Sequence, residues 1–173
     1  MGGYNAPVTP VLRDFRADDF ETLWSIDQRC FEPGIAYERR ELMAYIGLRS
    51  AFTLVAESAA EASAQLGSMQ QRPAQILGFL VAHCTRKGLG HIITIDVLAE
   101  ARRLGVGSLL LTEAEARLRA VPCHRVTLET AVDNASALAF YKRHHYFVVK
   151  TVPRYYSNGM DALVLQKDFE QPV

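Results

Sequence analysis

Hydrophobic and polar positions along the chain alternate between strand and helix periods in a regular succession. Val11 to Phe15 reads as a short first strand. Asp18 or Asp19 then caps a helix in which Phe20, Leu23, Trp24 and Asp27 recur at spacings of three to four. Cys30 to Ile35, with Pro33-Gly34 inside it, breaks that helix, and a second helix is predicted over Glu38 to Leu48. Phe52 to Glu57 and Ile76 to Cys84 read as strands. The Ala-, Ser- and Gln-rich stretch from Ser58 to Gln75 between them predicts a flexible loop, longer than a hairpin needs. Arg86 to Gly90 forms a tight turn into a β-branched strand, His91 to Val97. Leu104 to Ala120 is helical, with Leu109, Leu110, Ala114 and Leu118 on one face. Val126 to Thr130 is a strand, Asn134 caps a helix running to about His144, and strands near Phe147 to Thr151 and Ala162 to Gln166 close the chain.

No internal repeat and no second core pattern emerge. The expectation is one α/β domain over residues 1–173, with a mixed, twisted sheet of about seven strands flanked by helices. Lys plus Arg and Asp plus Glu each number 19, so no global field recruits nucleic acid or an anionic membrane, and any anion site must be local. Three cysteines, Cys30, Cys84 and Cys123, stand at wide spacing without a disulfide or zinc pattern, which suits a reducing compartment and a site without metal. No apolar run reaches the roughly 20 residues of a membrane span. The N-terminal residues lack the basic and apolar regions of a secretory signal, and Ala6 occupies the Ser/Thr position of a myristoylation motif. These features predict a cytoplasmic protein without a membrane partner.

Candidate chemistry concentrates between Val97 and Leu110. Arg102-Arg103-Leu104-Gly105-Val106-Gly107-Ser108 lies where a strand hands over to a helix. Free N–H groups and the positive dipole end of a helix bind phosphate, and glycines let the ligand approach the backbone. The same Gly-x-Gly can simply relieve crowding at a turn. A Walker loop is excluded because no Gly-Lys-Ser/Thr follows, and the dinucleotide fingerprint because Leu110 stands where its third glycine belongs.

The loop nevertheless resembles a known motif. Arg102 to Gly107 matches the Arg/Gln-x-x-Gly-x-Gly/Ala loop of the GNAT superfamily of N-acetyltransferases. The resemblance continues through Leu128 to Tyr141 and ends in Tyr155-Tyr156-Ser157-Asn158-Gly159-Met160-Asp161-Ala162, similar to a segment of protein N-terminal acetyltransferases, those acting on ribosomal-protein N-termini included. It covers about Ile76 to Lys167 in family order.

The resemblance implies acetyl-coenzyme A as donor. Its pyrophosphate would lie on the amides of Arg102, Arg103, Gly105, Val106, Gly107 and Ser108, and its pantetheine along the strand edge at Ile95 and Val97. Two parallel strands, those ending at Val97 and Thr130, would splay to admit it, with an oxyanion-stabilising N–H near Val97. Asn134 would contact the cofactor arm or simply cap its helix. Tyr141, whose phenol keeps its proton at neutral pH, would protonate the departing thiolate, unless it is only a core aromatic. Glu129 would take the amine proton, directly or through one water, with His91 ordering that water; each could instead be an ordinary strand residue. His83, His124, His144 and His145 have weaker cases. Phe31, Pro33 and Tyr37 on one side and Tyr155 and Tyr156 on the other would wall a peptide groove. With no Ser or Cys paired to a His by motif, transfer would be direct.

The acceptor implied is the N-terminal α-amine of a protein or peptide, the enzyme acting as monomer or homodimer. A small-molecule amine (polyamine, amino-acid derivative or aminoglycoside) is the alternative, and a non-catalytic acyl-CoA-binding module a third. One departure from the family concerns His145-Tyr146, which replaces the usual Gly-Phe after the Tyr141 helix. The left-handed helix cap must then be made by a non-glycine, or be absent.

Overall fold

A computed structural model describes residues 9–59 and 74–169. Seven strands form one sheet in the order β1-β2-β3-β4-β5-β7-β6. They are β1 (Pro10–Asp14), β2 (Ala51–Ser58), β3 (Ile76–Cys84), β4 (Leu89–Val97), β5 (Arg125–Ala131), β6 (Phe147–Val152) and β7 (Ala162–Asp168). Four α-helices join them: α1 (Phe20–Cys30), α2 (Arg39–Ile46), α3 (Val106–Arg119) and α4 (Ala135–Arg143). The mixed α/β sheet expected from the sequence is therefore present, and every pairing is antiparallel except β4 with β5.

The core follows from the strand patterns. β2 and β3 carry near-continuous runs of buried residues, from Thr53 to Ala56 and from Leu77 to Ala82. Such runs need cover on both faces, supplied by α1 and α2 and by α3. α3 buries Leu110, Leu111, Ala114 and Leu118, while Leu109 is exposed. The expected stripe is thus corrected by one position: the helix starts at Val106 rather than Leu104, and Leu111 takes the inward place.

Asp19 stands at the N-cap position of α1 without bonding the helix. Its carboxylate accepts the Arg16 N–H at 2.7 Å, closing a short 3-10 turn over Ala17–Asp19, and pairs with Arg13. The long β2–β3 connection is closed at its base by Ser58 N–H to Gln75 carbonyl and Gln75 N–H to Ser58 Oγ. Most of the expected flexible loop, residues 60–73, lies outside the described residues.

Two irregularities shape the site. β4 and β5 pair only at Leu89–Arg125, Gly90–Val126 and His91–Thr127, after which they diverge. The edge of β4 from Ile92 onward is left without a strand partner on that side, which is the splay that the family resemblance implied. The register of β3 with β4 also shifts between Val81 and Ala82, making Ile93 an extra residue. A bulge reverses which residues face which side. Before it, His91 shares a face with His83; after it, Thr94 and Asp96 continue that face, while Ile95 and Val97 turn to the side of α3.

Candidate active site

The start of α3 is built to present N–H groups. Gly105 is its N-cap at φ +82° and Arg103 lies at φ +64°, both in the left-handed region. The first helical bond is Leu109 N–H to Gly105 carbonyl, at 2.9 Å. The N–H groups of Val106, Gly107 and Ser108 have no backbone partner among the described residues, as at any helix start. A Cβ on Gly107 would touch Phe140 at 3.4 Å, an ordinary contact, so internal packing does not demand the glycine. Arg102 and Arg103 are exposed. Arg102 Nε donates to the Val97 carbonyl at 3.1 Å, holding the loop against the end of β4, where Cys30 Sγ also reaches. Ser108 Oγ is 2.9 Å from His144 Nε2, and Ile95 and Val97 are half-buried. Asn134 Oδ1 accepts the Ala137 N–H at 3.0 Å and so caps α4.

Where β4 and β5 begin to part, His91 Nε2 and Glu129 Oε2 lie 2.6 Å apart. The two side chains retain 31% and 20% exposure, so the pair is partly buried yet still accessible to solvent or a ligand. His83, opposite His91 in the β3–β4 ladder, packs edge-on against its ring with centroids 5.7 Å apart. Burial and the neighbouring His91 push the His83 pKa down. Glu129 also lines a groove of about 550 Å³ that includes Thr127, Lys150, Tyr155, Val164 and Gln166.

Tyr141 on α4 is buried against Phe140 and Tyr146. Burial raises its phenol pKa well above the ordinary value, with the fields of Asp96 and Tyr156 adding to the shift. Its phenol keeps its proton at neutral pH, as an ordinary tyrosine does.

The α1–α2 connection and the β6–β7 loop, expected to wall a peptide groove, are tied to each other and to β4. Tyr37 is held at every polar atom: its N–H donates to Asp27 Oδ2 at 2.9 Å, and its carbonyl accepts Gln28 Nε2 at 2.9 Å and Trp24 Nε1 at 3.3 Å. Its hydroxyl donates to the Ile93 carbonyl at 3.1 Å, the group displaced by the β4 bulge. Across the cleft, Ser157 donates from both N–H (3.2 Å) and Oγ (3.1 Å) to the Gly34 carbonyl. Gly34 sits at φ +90°, and a Cβ there would meet Asn158 Cβ at 2.8 Å. Tyr155 is exposed and Tyr156 half-buried, their rings edge-to-face at 5.0 Å. Burial raises the phenol pKa of both, and the charge of Glu129 contributes. Phe31 is half-buried and Pro33 exposed on the α1–α2 connection, and neither lines the groove.

The family model of the acetyltransferase (GNAT) family matches residues 10–146, well over half of the chain. The chain belongs to the GNAT acetyltransferase family. This GNAT domain is 40% identical over 81 residues to an uncharacterised N-acetyltransferase of Methanocaldococcus jannaschii, a stretch covering 46% of this chain and 52% of that protein. With the N-alpha-acetyltransferase MAK3 of Arabidopsis thaliana it shares 39% identity over 83 residues, 48% of this chain and 44% of the other. The chain spans about half the length of the curated relatives it matches. Among solved structures, Ard1 from Thermoplasma volcanium superposes with a TM-score of 0.78 at 24% identity, over 95% of this chain and 100% of that one. That likeness establishes the fold.

Several residues that shape this region have no role that the sequence alone assigns. Gly34 and Ser157 form a clasp that no local pattern announces, although Pro33-Gly34 marks its turn. Asp27 and Asp96 are both fully buried, each with one carboxylate oxygen lacking a hydrogen-bond partner among the described residues. Their signal was present: one acid inside the apolar stripe of α1, the other inside a β-branched strand.

Proposed function

We propose that the protein is an N-acetyltransferase that transfers acetyl from acetyl-coenzyme A to the N-terminal α-amine of a protein or peptide. The observation that carries this reading is the breaking of the β4–β5 ladder after His91–Thr127, with the His91–Glu129 pair at its mouth. The relatives named N-alpha-acetyltransferase and the family match support the reaction class. The residues present fit the donor. Three unpartnered N–H groups at the start of α3 suit a pyrophosphate, and the free edge of β4 suits an extended arm with amide groups. The solved relative NAA60 of Arabidopsis thaliana binds acetyl-CoA on a similar fold.

Acetyl-coenzyme A supplies an acetyl thioester, and the chain supplies the proton chemistry around it. A free α-amine has a reference pKa near 8, so its deprotonation demand at neutral pH is modest. Glu129, positioned by His91, accepts the proton that the amine nitrogen loses as its bond to the acetyl carbon forms. The bond from carbon to sulfur breaks, and Tyr141 delivers its phenolic proton to the departing sulfur. The phenol carries that proton at neutral pH even at the ordinary tyrosine pKa of about 10; burial makes it a weaker acid, and it gives the proton up as negative charge develops on the adjacent sulfur. Tyr37, Tyr155 and Tyr156 flank the acceptor path, and the clasp between Gly34 and Ser157 fixes its width. Free thiols at Cys30, Cys84 and Cys123 fit a protein acting in a reducing compartment.

The test is thiol release from acetyl-coenzyme A with N-terminal peptides and with polyamines, on wild type, Tyr141→Phe and Glu129→Gln. Peptides are expected to turn over and polyamines not, with kcat falling about 10²-fold in each variant, the usual contribution of a positioned acid or base. Equal turnover in all three proteins would remove both assignments, and polyamine turnover without peptide turnover would remove the acceptor.

A further inference from the structure

An irregularity in β6 sets Lys150 opposite Val164, on the groove that Val149 also lines. β6 pairs with β7 at Phe147–Gln166 and Val148–Leu165, then skips, so that Lys150 rather than Val149 stands opposite Val164. Without the extra residue, Lys150 would oppose Leu163 and project from the other face. Bulges re-aim side chains in this way. Val164 in turn stands opposite Glu129 in the β5–β7 ladder. Glu129, Val164 and Lys150 thus form one row across three strands, with the acid and the cation about 10 Å apart at the backbone. Both line the same groove of about 550 Å³, together with Tyr155.

The charges in that groove are not equivalent. Arg125 is neutralised by Asp168, Nε to Oδ1 at 2.7 Å. Glu129 faces His91. Lys150 has no ion-pair partner among the described residues, although it lies on the same wall. An apolar floor, Val164, separates an acid that can attract an ammonium from a cation that can attract a carboxylate.

We infer that Lys150 is a specificity residue of the acceptor site, selecting peptides that carry an acidic side chain at the second residue. The inference rests on the N-terminal acetyltransferase reading above. With its α-amine at Glu129, an extended peptide advances about 3.3 Å per residue. The side chain of its second residue therefore reaches the span between Glu129 and Lys150, and an Asp or Glu there pairs with the free ammonium. A lysine on the outermost strand also discourages edge-to-edge pairing of sheets. That role alone predicts no influence on acceptor choice.

The experiment compares kcat/KM for peptides identical except for Glu, Gln or Lys at the second residue. It uses wild type, Lys150→Ala and Lys150→Glu. Wild type is expected to prefer Glu over Gln by about fivefold at low salt, the scale of a partly exposed ion pair, with the difference lying in KM and fading as salt rises. Lys150→Ala should bring the Glu/Gln ratio close to one, and Lys150→Glu should favour the Lys peptide. Equal ratios in wild type and both variants would overturn the role of Lys150 while leaving peptide acetylation intact. No turnover of any peptide by wild type would overturn the acceptor reading, and this inference with it.

Discussion

Asp27 and Asp96 are charged residues placed where charge is least welcome. Burial raises the Asp27 carboxyl to about 6, and the nearby charge of Glu41 adds to it, against the Tyr37 N–H and Gln28 bonds that favour the carboxylate. Burial raises Asp96 well above the ordinary carboxylate range, with the field of Asp27 next and the Thr94 hydroxyl opposing. The folded protein therefore holds protons that the unfolded chain has released. Stability must fall as pH rises from about 4 through about 6 for Asp27, and continue falling as Asp96 ionises above that. Asp96→Asn keeps an acceptor for the Thr94 hydroxyl and removes the ionisable group. It should stabilise the protein at pH 8 by about 1–3 kcal/mol, the usual cost of an uncompensated buried polar group, and narrow the difference in Tm between pH 5 and pH 8. A variant no more stable than wild type at pH 8 would show that Asp96 is satisfied by a partner such as bound water. Both acids were visible in the sequence as breaks in apolar periodicity. What they contact was not, because Asp27 meets Tyr37 through a loop whose path depends on the whole α1–α2 packing.

At the level of elements, local rules recover most of the fold and fail at defects. Strand identities and the α4 cap follow from alternation and from Asn134, because those signals are local. The extra residues at Ile93 and Val149 are set by pairing with neighbouring strands, so nothing in β4 or β6 alone announces them. Yet they turn Asp96 inward, free the Ile93 carbonyl for Tyr37 and aim Lys150 at the groove. The end of α4 gives a sharper case. His145 lies at φ +66° and takes the position usually given to glycine. Its N–H reaches the Lys142 carbonyl at 3.1 Å and that of Tyr146 reaches the Tyr141 carbonyl at 3.0 Å, the paired bonds of a Schellman ending. The cap expected of a non-glycine is thus formed, at the steric cost of a Cβ in the left-handed region. His145→Gly should relieve it and stabilise the domain by about 0.5–1 kcal/mol, less than the full steric term because glycine gains freedom when unfolded. Urea denaturation checks this, and a lower midpoint in the variant would mean that the His145 side chain contributes more than its backbone strain removes.

Across the whole molecule, the proposed donor and acceptor sides come from different parts of the chain and adjoin along β4, where Tyr37 reaches Ile93 and Cys30 reaches Val97. The donor side depends on the α3 N-terminus and the free β4 edge. The acceptor side depends on two loops joined by the Gly34–Ser157 clasp and on Tyr37 bound to Ile93. Apart from the Tyr37–Ile93, Cys30–Val97 and Arg29–Glu100 contacts, the two draw on separate elements, so they should fail largely separately. Gly107→Val adds a branched side chain where the N–H groups of α3 are open, so it should raise KM for acetyl-coenzyme A about tenfold or more by blocking backbone approach. Gly34→Ala places a Cβ 2.8 Å from Asn158 Cβ at a left-handed φ, so the clasp must open or shift. Its effect should fall on KM for the peptide, with direct binding of the donor by calorimetry close to wild type. Loss of donor affinity in Gly34→Ala would mean that the clasp supports the sheet as a whole. The site would then be one cooperative unit rather than two halves meeting at Glu129.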